Sequence, residues 1–158
     1  MFERRREALG ELCRVTRPGG HVLLSVMCLW GSIHEKLPGV FATDAAENAR
    51  IVATGELRLG TADGSRHQCH LFRSDELREL LGATGWDLLA LSASNCLSPV
   101  WGSLFDEIHA DSTKWAALLD MEVEATAATG ALDAGTHLIA LIRRPLRTNG
   151  DSALIAAE

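Results

Sequence analysis

Residues 21 to 28 read His-Val-Leu-Leu-Ser-Val-Met-Cys, and no other segment restricts the fold as much. The run is nearly all apolar and does not alternate with polar residues. That pattern predicts a strand covered on both faces, as in the middle of an α/β sheet. It follows Arg17-Pro18-Gly19-Gly20. Pro18 cannot continue a helix, and the two glycines allow a sharp turn with positive φ. Before that turn Leu9, Leu12 and Cys13 recur at helical spacing, which predicts a helix over 2–15. Arg4, Arg5, Arg6, Glu3, Glu7 and Glu11 fill its other, solvated face.

Residues 29–55 carry Gly31, Pro38, Gly39 and Gly55 and give no clear periodicity, apart from a short helix expected from Asp44 to Val52. Glu56–Leu59 and Arg66–Phe72 flank Ala62-Asp63-Gly64, a hairpin signal. Ser74-Asp75-Glu76 opens the clearest helix, with Ser74 as expected N-cap, Leu77, Leu80 and Leu81 as its stripe and Gly85 as its stop. Trp86–Ser92 reads as a strand. Ser98-Pro99 starts a further helix carrying Trp101, Leu104, Phe105 and Ile108. A helix over 112–128 is expected to turn Trp115, Leu118 and Leu119 inward. Glu122 shares its stripe, with Arg143 or Arg144 as candidate partner. Thr136–Arg143 closes the chain as a strand before Arg144-Pro145, and 148–158 reads as a disordered tail. Strands separated by helices indicate an α/β layered sheet.

Composition excludes several classes. The chain has 158 residues, of which 47% are hydrophobic and 23% charged, which suits one domain with a real core. A net charge of −6 lacks the basic footprint of a nucleic-acid binder. No apolar run approaches the ~20 residues needed to cross a bilayer. The start Met-Phe-Glu-Arg-Arg-Arg has no apolar signal core behind it, so a cytoplasmic location is the default expectation. Cys13, Cys28, Cys69 and Cys96 are far apart and form no CxxC pair, so neither a disulfide scaffold nor a zinc site is expected. In His67-Gln-Cys-His70 a strand puts His67 and Cys69 on one face and His70 on the other, so three ligands do not converge.

Glu7-Ala-Leu-Gly-Glu-Leu-Cys-Arg-Val-Thr-Arg-Pro-Gly-Gly-His-Val-Leu-Leu-Ser25 resembles a stretch of class I S-adenosylmethionine-dependent methyltransferases, where a helix ending "RVLRPGG" leads into the fifth strand of a seven-stranded sheet. Phe72-Arg-Ser-Asp-Glu-Leu-Arg-Glu-Leu-Leu-Gly-Ala-Thr-Gly-Trp-Asp-Leu-Leu is similar to the capped helix that feeds the sixth strand, and Gly135–Pro145 to the seventh strand. The fold this implies is α/β: a partial seven-stranded methyltransferase sheet, fifth to seventh strands, with flanking helices and an inserted β-hairpin. Residues 1–147 would form the C-terminal portion of such a domain, with an insertion at about 29–72. The family's glycine-rich loop, ribose-holding acidic residue and reaction-centre Asp or Asn have no counterpart here, since Gly55, Gly60 and Gly64 are widely spaced and follow no buried strand. The resemblance therefore implies S-adenosylmethionine as cofactor of a complete domain, without binding to this chain alone, and no cofactor-binding residue in it.

What the resemblance implies functionally is methyl transfer to a small-molecule acceptor. A missing N-terminal half, or a second copy, is the expected partner at the unpaired edge of strand 21–28, because a long apolar edge invites pairing. A non-catalytic fragment that only pairs this edge is the rival reading. Loops after strands face ligands in open α/β sheets. That makes Trp30 a candidate flat wall and His34 a candidate base or donor, with His70, Phe72 and Asn95 as further candidate pocket residues. His137 reads as structural, His109 as a helix-end residue, and adjacent Asp106 and Glu107 make no catalytic dyad. No catalytic base is assigned.

Overall fold

A computed structural model describes residues 2–58, 68–98 and 102–146. The elements are α1 (Phe2–Val15), β1 (His21–Met27), α2 (Leu29–Glu35), α3 (Leu37–Ala42), α4 (Ala45–Thr54), β2 (Glu56–Leu57), β3 (Cys69–His70), α5 (Ser74–Ala83), β4 (Asp87–Ser94), α6 (Ser103–Ala110), α7 (Ser112–Ala127), a 3-10 turn (Thr129–Ala134) and β5 (His137–Arg143). The fold is mixed α/β. Among the described residues the main sheet has three strands in the order β1-β5-β4, and β2 pairs with β3 in a separate antiparallel ribbon.

The register of the main sheet follows from its end bonds. Gly19 N–H donates to Arg144 C=O and Arg144 N–H to Gly20 C=O, while Cys28 N–H donates to Thr136 C=O. β1 and β5 are thus antiparallel. Thr136 N–H donates to Ser94 C=O, so β4 ends where β5 begins, and these two are antiparallel as well. The last strand lies between the other two. It is also the best buried, with Leu138, Ala140 and Ile142 all at 0% exposure.

That corrects the expectation for 21–28. β1 alternates exposed and half-buried residues, and Leu23 is 72% exposed. Among the described residues β1 is an edge strand, joined on its outer side only by a bridge between Cys28 and Phe72. The sequence is patterned for a middle position that β5 takes instead.

The described residues divide into two compact units. In the first (2–24, 78–90, 140–146), Trp86 is buried and its Nε1–H donates to the Leu9 carbonyl at 3.3 Å. Arg143 pairs with Asp87 at 2.9 Å, and Arg144 donates to the Thr16 carbonyl. In the second (25–77, 91–139), Leu29, Ile51 and Leu71 form a buried cluster with Ile33, Leu57 and Cys69 against it.

Several local expectations are met and others revised. Residues 29–54 fold as the three short helices α2, α3 and α4. α4 is capped by Asp44, whose carboxylate accepts the Glu47 N–H, and ends at Gly55 with φ +69°. α2 carries no side-chain cap, so it left no start signal. The N-terminus of α5 is held by Asp133, which accepts the Ser74 N–H at 2.8 Å and the Ser74 hydroxyl at 2.8 Å. Ser74 thus donates to a distant carboxylate and does not cap with its own oxygen. α7 is capped by Asp111 through the Thr113 and Lys114 N–H groups. Leu118 is buried, whereas Leu119 is 45% exposed, against the inward expectation. The Ala62-Asp63-Gly64 turn, His67, Pro99, Trp101 and the 148–158 tail lie outside the described residues. No helix among the described residues is long and apolar enough to cross a membrane.

Candidate functional site

A cavity of about 520 Å³ opens in the second unit at the carboxyl end of β4. Its polar side is formed by Glu35 of α2, Asn95 and Ser98 after β4, and Thr136 and His137 at the start of β5. Phe105 of α6 and Trp115, Leu118 and Leu119 of α7 supply the apolar side, with Glu122 below them. This size and mixture of apolar wall and few polar groups suit a small organic ligand. Because β4 and β5 are antiparallel, the same place is the amino end of β5.

Local sequence explains each position. Asn95 has φ +55°, a left-handed conformation that asparagine tolerates, and this turns the chain sharply after β4. The next two residues would leave orphaned N–H groups. Glu122 of α7 reaches across to accept both, from Cys96 and from Leu97, the latter at 3.0 Å. The Glu122 carboxylate is therefore bound to backbone amides and not to Arg143 or Arg144 as the sequence suggested. Phe105 meets Trp115 edge to face, with ring centroids 5.4 Å apart.

Because Glu122 holds two donors, its removal leaves both unpaired. Glu122→Ala is expected to cost about 1 kcal/mol, because water can reach the Leu97 N–H while that of buried Cys96 loses its partner. Glu122→Gln, which keeps one accepting oxygen where the carboxylate uses two, should cost less. Chemical denaturation of both variants checks the order.

The five residues singled out from sequence do not converge. Asn95 lines the cavity. His34 is exposed on α2. Trp30 is 43% exposed and has the Arg73 guanidinium 5.6 Å from its ring centroid. His70 faces a carboxylate oxygen from each ring nitrogen, Glu56 at 3.0 Å and Glu76 at 2.6 Å. It stacks edge to face on buried Phe72 at 4.5 Å. The imidazole thus ties β3 to β2 and α5, and neither it nor Phe72 lines the cavity. Sequence reading missed His137, Glu35 and Ser98. The signal for His137 was its position at the start of the last strand, which becomes informative only once that strand is known to run antiparallel to β4.

Burial pushes the Cys28 thiol up from its ordinary value, and the neighbouring Asp133 carboxylate adds to this, against opposing N–H groups of Gly31 and Trp30. Burial likewise raises Cys96, with Glu122 adding. A raised value means less thiolate at neutral pH. Native protein treated with iodoacetamide should therefore be modified at half-buried Cys13 and Cys69 while Cys28 and Cys96 stay unmodified, as peptide mass mapping would show. No group of three or more metal-ligating side chains is assembled among the described residues.

No protein-family model matches the chain, and a search of the curated proteins finds no match.

Proposed function

We propose that the protein supplies the C-terminal, acceptor-binding part of an S-adenosylmethionine-dependent methyltransferase domain that acts on a small molecule. One observation carries this reading: β1 has an apolar middle-strand sequence yet lies at the sheet edge among the described residues. A strand of that composition is normally flanked on both sides. Three further features support it. The Arg17-Pro18-Gly19-Gly20 turn feeds β1, a leucine-striped helix precedes β4, and the cavity lies at the carboxyl end of β4.

The residues present do not fit the cofactor itself. Nucleotide folds bring the ligand against a glycine in a strand-to-helix turn. Here the strand-to-helix turn after β1 is Cys28-Leu29-Trp30-Gly31, and a Cβ on Gly31 would sit 1.8 Å from the Gly135 carbonyl oxygen. That space is filled by the chain's own backbone, so no catalytic step is derived through the cofactor. On this reading the nucleoside-holding strands come from another polypeptide segment.

Calorimetric titration of the chain with S-adenosylhomocysteine should give no binding heat. Fusing a class I cofactor-binding segment ahead of α1 should create binding. Tight binding by the chain alone, as a monomer, would overturn the reading. A folded fusion with β1 paired on both edges and no affinity would favour the other use of the same edge, a non-catalytic pairing fragment.

A further inference from the structure

The cavity at the carboxyl end of β4 carries charge of one sign. Of the described residues that line it, Glu35 and Glu122 are acidic and none is lysine or arginine. The Glu122 carboxylate is placed by its bonds from the Cys96 and Leu97 N–H groups, in the turn between the lining residues Asn95 and Ser98. Those bonds orient the carboxylate and leave its negative charge in place. Glu35 is the last residue of α2, at the negative pole of that helix.

Two opposing charges are smaller. Lys36 pairs with Glu35 at 3.0 Å, but its side chain is 57% exposed and it is not among the lining residues, so water and salt screen it. The N-terminus of α6 reaches the wall at Gly102, and a helix pole is equivalent to about half a charge. The sign of the wall therefore favours a cation. A second, independent feature selects its shape. Phe105 and Trp115 form an aromatic side, extended by Leu118 and Leu119. Aromatic rings pack against a ligand ring and also attract organic cations.

We propose that this cavity binds a primary aryl-alkyl amine in its protonated form, with the ring on the Phe105 and Trp115 side and the ammonium on the Glu122 and Glu35 side. Such an amine is charged at neutral pH, as a lysine side chain is. An anion of the same shape meets like charge and is disfavoured. This names the acceptor class for the function proposed above and rests on that reading only in calling the ligand an acceptor. The binding itself belongs to this chain and involves no transfer step.

Three ligands of similar shape test it by calorimetric titration of the full chain: 2-phenylethylamine, uncharged 2-phenylethanol and the anion phenylacetate. The amine should bind about tenfold more tightly than the alcohol, the gain from one charge-assisted hydrogen bond. Phenylacetate should bind more weakly than the alcohol. Raising sodium chloride to about 1 M should shrink the advantage of the amine, because the screening length falls to roughly 3 Å. Two substitutions at the end of α2 locate the ligand. Glu35→Gln should lower the affinity for the amine and leave that for the alcohol unchanged. Lys36→Gln should raise the affinity for the amine. Equal affinity for amine and alcohol, tighter binding of phenylacetate, indifference of the amine to both substitutions, or no binding by any of the three would each overturn the proposal. Failure of the fused protein to bind S-adenosylhomocysteine would leave the amine series standing. Loss of the amine preference would equally leave the cofactor titrations untouched.

Discussion

Gly31→Ala is expected to disrupt the native packing of the second unit. The added methyl would lie 1.8 Å from the Gly135 carbonyl oxygen, 2.3 Å from its carbonyl carbon and 2.8 Å from the Thr136 nitrogen. All three are backbone atoms, so no rotamer change relieves the clash. Either α2 moves away or the segment before β5 does. The second is resisted, because the adjoining Thr136 N–H donates to Ser94 C=O and the Thr136 C=O accepts from Cys28 N–H. The loss should exceed the roughly 1–3 kcal/mol of ordinary overpacking in a core. Gly10→Ala is the control. Gly10 lies inside α1 with nothing within 4 Å of its Cβ position, so alanine should stabilise by about 0.5–1 kcal/mol. Urea unfolding followed by circular dichroism separates the two outcomes.

Leu138→Ala should cost about 2–5 kcal/mol, the range for truncating a buried leucine. Leu138 has 0% exposure and stands on β5, which is hydrogen-bonded on both sides. Neighbours held by two ladders have little freedom to collapse into the space, which places the loss toward the upper end. Leu23→Ala on β1 makes the comparison. Leu23 is 72% exposed, so the same chemical change should stay within about 0.5 kcal/mol. Equal losses at the two leucines would mean that β1 is as buried as its sequence suggests.

That contrast also shows where sequence reading succeeds. α5 was legible because Leu77, Leu80 and Leu81 are spaced for one face, and all three are buried. β5 was legible as an apolar segment between a glycine and a proline. The faces of β1 were not, because exposure there depends on which strand becomes its neighbour. The electrostatic ties were equally hidden. Asp133 caps a helix 59 residues away in sequence, and Glu122 caps a turn about 25 residues away. Spacing rules reach only a few residues along a helix or strand, so pairings at this distance leave no local pattern. Of the site, Asn95 was reachable as the residue after a strand. His137 was not, since its place at the cavity depends on β5 starting where β4 ends.

The open edge of β1 is most directly tested by amide hydrogen exchange in the monomeric chain. Successive N–H groups of a strand point to opposite edges. Cys28 N–H bonds β5 through Thr136, and Leu29 N–H bonds Phe72 on the other side. Counting back, Leu24 and Val26 face β5, whereas Leu23 and Ser25 face outward. The expected result is slow exchange at Leu24 and Val26 with fast exchange at Leu23 and Ser25. Equal, strong protection of all four amides in a monomer would contradict the half-paired strand on which the proposed function depends.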